Sequence, residues 1–428
     1  MELLAFHSWT LYKFSIVRQL YKKAPWNLLK KTPTHEKKNK LCKWQKLSQV
    51  VMGLLPVLEP EEIPQAAIWY ALVPSGERPG VRVGHTLTYI PDAPGKGKIV
   101  ITGGANPNGS FSDAHILELD RHEWNVPDWN GLLPRYEHAS FVPVTLPAGL
   151  WLFGGADECG NKNCIQVLNF ETGEWRNPAV NGTPPTPRTC HSSTAAIGDC
   201  LYVFGGGDKG AEPVQDTQLH AFDKATLSWS QKSTEGEPPA PRHGHVMVGV
   251  GSKLFIHGGL AGDKFFNDMY TIDTAAVNME WKKVKMKGDI PGGRAAHSAV
   301  SHGKYLFIFG GLDATGALDT MYKYHIETQC WTLLEFELPL PAKRLDHAMC
   351  VIPWKMRKTE TPTPRPDDKQ AEENKESVRP SDNDTHPTPV NWSTVQTDNI
   401  VHLCLIFGGM DTQGEIYNDC FVTLIKAS

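Results

Sequence analysis

Residues 304–331 read KYLFIFGGLDATGALDTMYKYHIETQCW, and variations of this stretch recur along almost the whole chain. An apolar run of strand formers, Tyr305 to Phe309, ends in the pair Gly310-Gly311. A loop follows, then Asp319, a second strand from Met321 to His325, and Trp331. Glycine pairs of this kind end strands without a side-chain penalty and let neighbouring backbones approach. The stretch therefore predicts two adjacent antiparallel strands and part of a third.

Its landmarks repeat in order. An Arg-x-x-His pattern stands at Arg82/His85, Arg135/His138, Arg188/His191, Arg242/His245, Arg294/His297 and Arg344/His347. Each is followed by a glycine pair, beginning at Gly103, Gly154, Gly205, Gly258, Gly310 and Gly408, with spacings of 51, 51, 53, 52 and 98. A tryptophan follows each of the first five pairs, at 124, 175, 229, 281 and 331, and none follows the sixth. Trp69 stands 55 residues before Trp124, where the tryptophan of a preceding repeat belongs. The N-terminal strand is thus expected to complete the sixth unit and close a ring of six four-stranded blades, which leaves only short, protected edges.

A period near 50 is that of kelch units, and the sequence resembles the kelch-repeat β-propellers. The likeness is carried by residues 103–115 (GGANPNGSFSDAH), 132–141 (LLPRYEHASF), 241–248 (PRHGHVMV), 253–268 (KLFIHGGLAGDKFFND), 316–322 (GALDTMY) and 344–354 (RLDHAMCVIPW). The fold class expected is all-β, a six-bladed kelch β-propeller over residues 52–428. These long runs resemble the Rab-effector branch of the family. That resemblance implies a non-enzymatic module whose partner is the GTP-bound late-endosomal Rab GTPase (Rab-nine), serving transport from late endosomes to the trans-Golgi network. It also implies a cytoplasmic monomer, peripherally associated with late endosome membranes, with no cofactor.

Composition agrees with many short strands: 428 residues hold 38 Gly, 32 Pro and 13 Trp. No apolar run approaches the ~18 residues that a transmembrane helix needs, and the N-terminus lacks the pattern of a secretory signal. The nine cysteines are scattered, with no C-x-x-C pair, as expected of reduced thiols. Residues 1–51 carry 11 Lys and Arg against two acids, whereas the remainder carries 32 against 45. An acidic body repels phosphate backbones, so nucleic acid is set aside as a partner. The basic arm, with Trp9, Tyr12, Tyr21, Trp26 and Trp44 interleaved, is read as a disordered extension. Residues 355–399, rich in Pro, Glu, Asp, Ser and Thr, are read as a disordered insertion in blade six.

Alternating strands place the Arg-x-x-His loops and the loops after the glycine pairs on one face. An identical Arg/His pair in every copy is expected to hold the repeat together, because functional residues break symmetry. The asymmetric residues are therefore the partner-binding candidates: Phe111, Arg135, Tyr136, Lys264, Phe265, Phe266, Arg344 and Leu345. Aromatic anchors with basic neighbours dominate such interfaces. Of Phe265 and Phe266, one is expected to pack beneath its loop.

One metal pattern competes. Glu212, Asp216 and His220 form E-x-x-x-D-x-x-x-H, similar to the iron-binding signature of the kelch-fold specifier proteins, which would make the chain a metal-dependent enzyme. Asp216 is read as the repeat's own aspartate, alongside Asp268, Asp319 and Asp419. Four residues along an extended strand separate side chains by about 13 Å, too far for one ion. No sialidase box and no Gly-Lys-Ser/Thr phosphate loop is present.

Overall fold

The computed structural model describes residues 55–92, 97–145, 149–189, 195–208, 212–357 and 399–426. The expectations for residues 1–51 and for the body of the insertion lie outside these residues, as does His191. Among the described residues there is no helix, and so none long and apolar enough to cross a membrane.

Six antiparallel sheets form a β-propeller. In blade five the order is Ser298–His302, Tyr305–Phe309, Met321–His325 and Cys330–Leu334, the pattern read from the opening stretch. First strands of neighbouring blades lie against one another around the axis. Blade six is Ala348–Lys355, Ile400–Phe407 and Cys420–Ile425, and its outer strand is Trp69–Ala71, paired as Trp69↔Thr423, Tyr70↔Val422 and Ala71↔Phe421. The ring therefore closes between the two ends of the sequence. The first strand of blade six runs further than expected: Lys355 pairs with Ile400, so the excursion leaves and returns at adjacent points.

The tryptophans are wedges between blades. Four of them, on or beside the fourth strands of blades one, three, four and five, stack on the residue that precedes the glycine pair of the blade before: Trp229 on Phe153 at 4.7 Å, Trp281 on Phe204 at 5.4 Å, Trp331 on His257 at 5.3 Å, Trp124 on Phe407 at 5.8 Å. Trp69 stacks on Phe309 at 5.2 Å in the same way, and is fully buried. Such large apolar surfaces dominate core energetics.

A second glycine family caps the blade edges. The segment entering blade one, Ser75–Gly76, runs parallel to that blade's own outer strand, and Lys287–Gly288 does the same in blade five. Gly76 has φ +84°, and a Cβ there would fall 2.1 Å from the Trp124 carbonyl oxygen. Only glycine permits that approach. Blade six is capped by Val57 beside Ala71. These caps occupy the groups through which an open edge would pair with another chain.

A candidate partner-binding face

At the start of each blade the arginine is buried, with at most 3 % of its surface exposed. In blade one, Arg82 Nη1 donates to the Gly103 carbonyl at 2.9 Å, and Nη1 and Nη2 each donate to an oxygen of Asp113 at 2.8 Å. Arg242 repeats this with Gly258 and Asp268, and Arg344 with Gly408 and Asp419. One side chain thus ties the first strand's entry to the end of the second strand and the start of the third. Burial raises the Asp113 carboxyl, but hydrogen bonds from His115 and Arg82 outweigh it and hold the group well below the usual carboxylate range. The glycine pair adds the link between blades. The second glycine's N–H donates to the next blade's arginine carbonyl, as in Gly104 to Arg135 at 2.8 Å and, across the closure, Gly409 to Arg82 at 3.0 Å.

Three blades depart from this scheme. In blade three Gln218 stands directly before the third strand, and Asp216, two residues earlier, meets Arg188 Nη2 through one oxygen at 3.0 Å, so its assignment to the repeat's aspartate position is corrected. In blade five Thr320 holds the position directly before the third strand, and Arg294 reaches its hydroxyl at 3.2 Å. Asp319 is one residue early, so its assignment as a repeat aspartate is corrected. Blade two has Cys164 and Gln166 in place of a carboxylate. Burial lowers the pKa of both Arg135 and Arg294.

The histidines face the neighbouring blade. His347 lies edge-on to Phe309 at 5.3 Å and His85 to Phe407 at 5.4 Å, while in blade four His257 replaces the phenylalanine and meets His297 Nε2 through Nδ1 at 3.1 Å. Burial, then the nearby Arg82, lowers His85 to about 3. Burial followed by Arg294 lowers His257 to about 3, and His297 and His347 are lowered as well, again chiefly by burial. These rings stay neutral and act as packing groups. Among the described residues the Arg-x-x-His set is thus consumed in building the ring.

What remains on this face is a crown of hairpins, each bridged to the residue after its arginine: Val83 with Ala105, Tyr136 with Ala156, Thr189 with Gly207, His243 with Leu260, Ala295 with Leu312, Leu345 with Met410. This bridging explains where the candidates fall. Tyr136 and Leu345 are bridge residues and are buried, as are Arg135 and Arg344. Phe266 is also buried, 4.0 Å from the Arg242 guanidinium carbon, so the expectation of an exposed anchor at Tyr136 and Phe266 is corrected. Phe266 is the phenylalanine beneath its loop. Phe265 is half-buried against Leu312, Ala317 and Leu345, Phe111 is half-buried over Arg82, and Lys264 is exposed.

The exposed charges at the hairpin tips are mostly acidic: Glu158, Asp208, Glu212, Asp263 and Glu415, against Lys264 among the described residues. Lys162 is bound to Asp157 at 2.6 Å. Sequence reasoning missed this bias because tip residues come from six separate repeats. Neighbouring crowns also interlock, since Glu158 accepts from the Ser110 N–H at 2.6 Å and from its hydroxyl at 2.8 Å.

The distance argument against the metal pattern is corrected too. The third strand of blade three begins only at Leu219, and the chain before it bends, so His220 Nε2 lies 2.7 Å from Asp216 Oδ2. Arg188 takes the same carboxylate oxygen at 3.0 Å. Glu212 is exposed, and no three His, Cys, Asp or Glu gather as a metal site among the described residues.

Comparison with known proteins places the chain. The family model described as the KLHDC2/KLHL20/DRC7 Kelch-repeats domain matches residues 84–311 and 144–357. The mouse protein called Rab9 effector protein with kelch motifs is 51% identical over 390 residues, covering 89% of this chain and 99% of its own length. The human protein of that name is 52% identical over 376 residues, and the zebrafish (Danio rerio) one 47% over 386, each covering 87% of this chain and 100% of the relative.

Proposed function

Because the chain belongs to the family of the Rab9 effector proteins with kelch motifs, we propose that it is a non-enzymatic interaction module for the GTP-bound, late-endosomal Rab-nine GTPase. In this reading it promotes vesicle transport from late endosomes to the trans-Golgi network, working as a cytoplasmic monomer that associates peripherally with late endosome membranes. The observation that carries the reading is the extent of the match: relatives named as Rab9 effectors align over 99 to 100% of their length, so the likeness reaches far beyond a shared repeat.

The crown of hairpins is the proposed docking face. The arginines and histidines beneath it are committed to holding blades together, whereas the hairpins vary in sequence from blade to blade. Phe111, Lys264 and Phe265 are the contact residues proposed there, with Arg135, Tyr136, Phe266, Arg344 and Leu345 supporting them from below. The acidic tips favour a basic partner surface and a salt-sensitive association rate.

The test is a binding measurement against the GTPase loaded with GTP or GDP. Lys264→Ala combined with Phe265→Ala should weaken binding of the GTP form at least tenfold, about 1.4 kcal/mol, with the melting temperature nearly unchanged. Failure of the native protein to bind either nucleotide state overturns the function. Unaltered affinity in the folded double variant, with the native protein binding, overturns only the choice of face.

A further inference from the structure

Blades two and five lack the aspartate that pairs with the arginine in blades one, three, four and six, and blade two puts a thiol in its place. Asp113, Asp268 and Asp419 each stand directly before their third strand and take both terminal nitrogens of the arginine, at 2.6 to 3.4 Å. Cys164 holds that position before Ile165–Asn169. The arginine facing it, Arg135, is fully buried and forms no ion pair among the described residues. Its Nε donates to the Leu133 carbonyl at 3.4 Å, Nη1 to the Gly154 carbonyl at 3.3 Å, and Nη2 to Gln166 Oε1 at 2.6 Å and to Cys164 Sγ at 3.6 Å. Among the described residues Gly154 is the acceptor found for Nη1. In blades one, four and six Nη1 also donates to the aspartate's Oδ1.

We propose that Cys164 is an oxidation site whose sulfinate product is bound by Arg135 in the place that aspartate fills in blades one, four and six. A sulfinate presents two oxygens in a fork on Cβ, as a carboxylate does, and carries the same single negative charge. Fork-to-fork pairing with guanidinium is the strongest of the side-chain hydrogen-bonding arrangements. Cys164 is half-buried, so a small oxidant reaches it, whereas Cys350, Cys404 and Cys420 are buried in blade six. The oxidant is hydrogen peroxide, used twice. First the thiol sulfur takes one oxygen as the O–O bond breaks, giving sulfenic acid and water. Next the sulfenic acid takes a second oxygen, giving sulfinate, a proton and water. Sulfur loses two electrons in each step, and the second product is not reversed by thiols.

Cys159, exposed at the tip of the same hairpin, supplies the comparison. Dilute hydrogen peroxide is added to the full chain carrying Cys159→Ser, and to a second protein carrying Cys159→Ser with Cys164→Ser. Peptide mass spectrometry should show Cys164 with two added oxygens, and the melting temperature of the first protein alone should rise, by about 2 °C for a new buried ion pair. Cys164→Asp without peroxide should raise it in the same direction, and this variant does not depend on any Arg135 substitution folding. The proposal is overturned if peroxide leaves Cys164 unmodified while oxidising Cys159 in the native protein. It is equally overturned if the sulfinate or Cys164→Asp lowers the melting temperature.

Discussion

Replacing Trp69 by alanine tests whether the propeller is closed by the pairing of its two distant strands. Trp69 is fully exposed to neither solvent nor edge: it lies buried between blades six and five, 5.2 Å from the Phe309 ring and 5.4 Å from Phe336, and shares its cluster with Met321, Cys404, Ile406 and Phe421. Its backbone pairs with Thr423, whose hydroxyl donates to the Ile68 carbonyl at 2.8 Å. Removing a buried tryptophan side chain costs about 3 to 5 kcal/mol. Deleting residues 1–75 removes the outer strand as well, exposes the edge of Cys420–Ile425, and takes away Leu55 and Leu58, which are buried in the same region. Deleting residues 1–51 leaves every one of these contacts in place. Urea unfolding followed by tryptophan fluorescence, with light scattering to detect edge-to-edge association, should rank the proteins: native and 1–51 deletion alike, Trp69→Ala lower, and the 1–75 deletion lowest and aggregating. Equal midpoints for the two deletions, or a cost below about 1 kcal/mol for Trp69→Ala, would refute the wedge argument.

Further outcomes follow from the same geometry. His85 and His257 are lowered from 6.5 to about 3, with His297 and His347 lowered too. Between those pH values the unfolded chain binds protons that the folded chain refuses, so stability is fully present above pH 6.5 and declines as the pH falls toward 3. Each such histidine contributes up to about 1.4 kcal/mol per pH unit, and denaturant midpoints across that window should show it; His257→Phe, the residue type at this place in four other blades, should lessen the slope. Asp419→Ala strips the buried Arg344 of its counter-ion and should cost about 3 kcal/mol, whereas Asp319→Ala should stay within about 0.5 kcal/mol; equal effects would restore Asp319 to the repeat. Because Lys355 pairs with Ile400, replacing residues 358–398 by a short Gly/Ser linker should leave the melting temperature unchanged or slightly raised, since closure entropy varies slowly with loop length. A drop of several degrees would show that this segment packs on the ring.

The six-fold pattern, the closure through Trp69 and the face shared by two loop families were all legible in the sequence, because each arises from a residue type that recurs at a fixed spacing. A glycine pair marks a strand end wherever it occurs, and a tryptophan two strands later marks the wedge. The capping glycines Gly76 and Gly288 were equally periodic, but their role depends on how close a neighbouring carbonyl comes, which spacing does not reveal. What the tertiary structure alone decided was the fate of individual side chains within the pattern. Tyr136 and Leu345 read as loop residues and are buried because each bridges to a hairpin some 20 or more residues away. Asp216 and His220 meet because the chain bends before Leu219, whereas the pattern suggests an extended run. Thr320, and not Asp319, faces Arg294 because one residue of register moves a side chain to the other side of a strand. Repetition in sequence fixes the backbone course, since backbone hydrogen bonds are the same in every copy. Exposure and charge pairing depend on which side chains the loops of a blade bring together, and those are set only when its strands have paired.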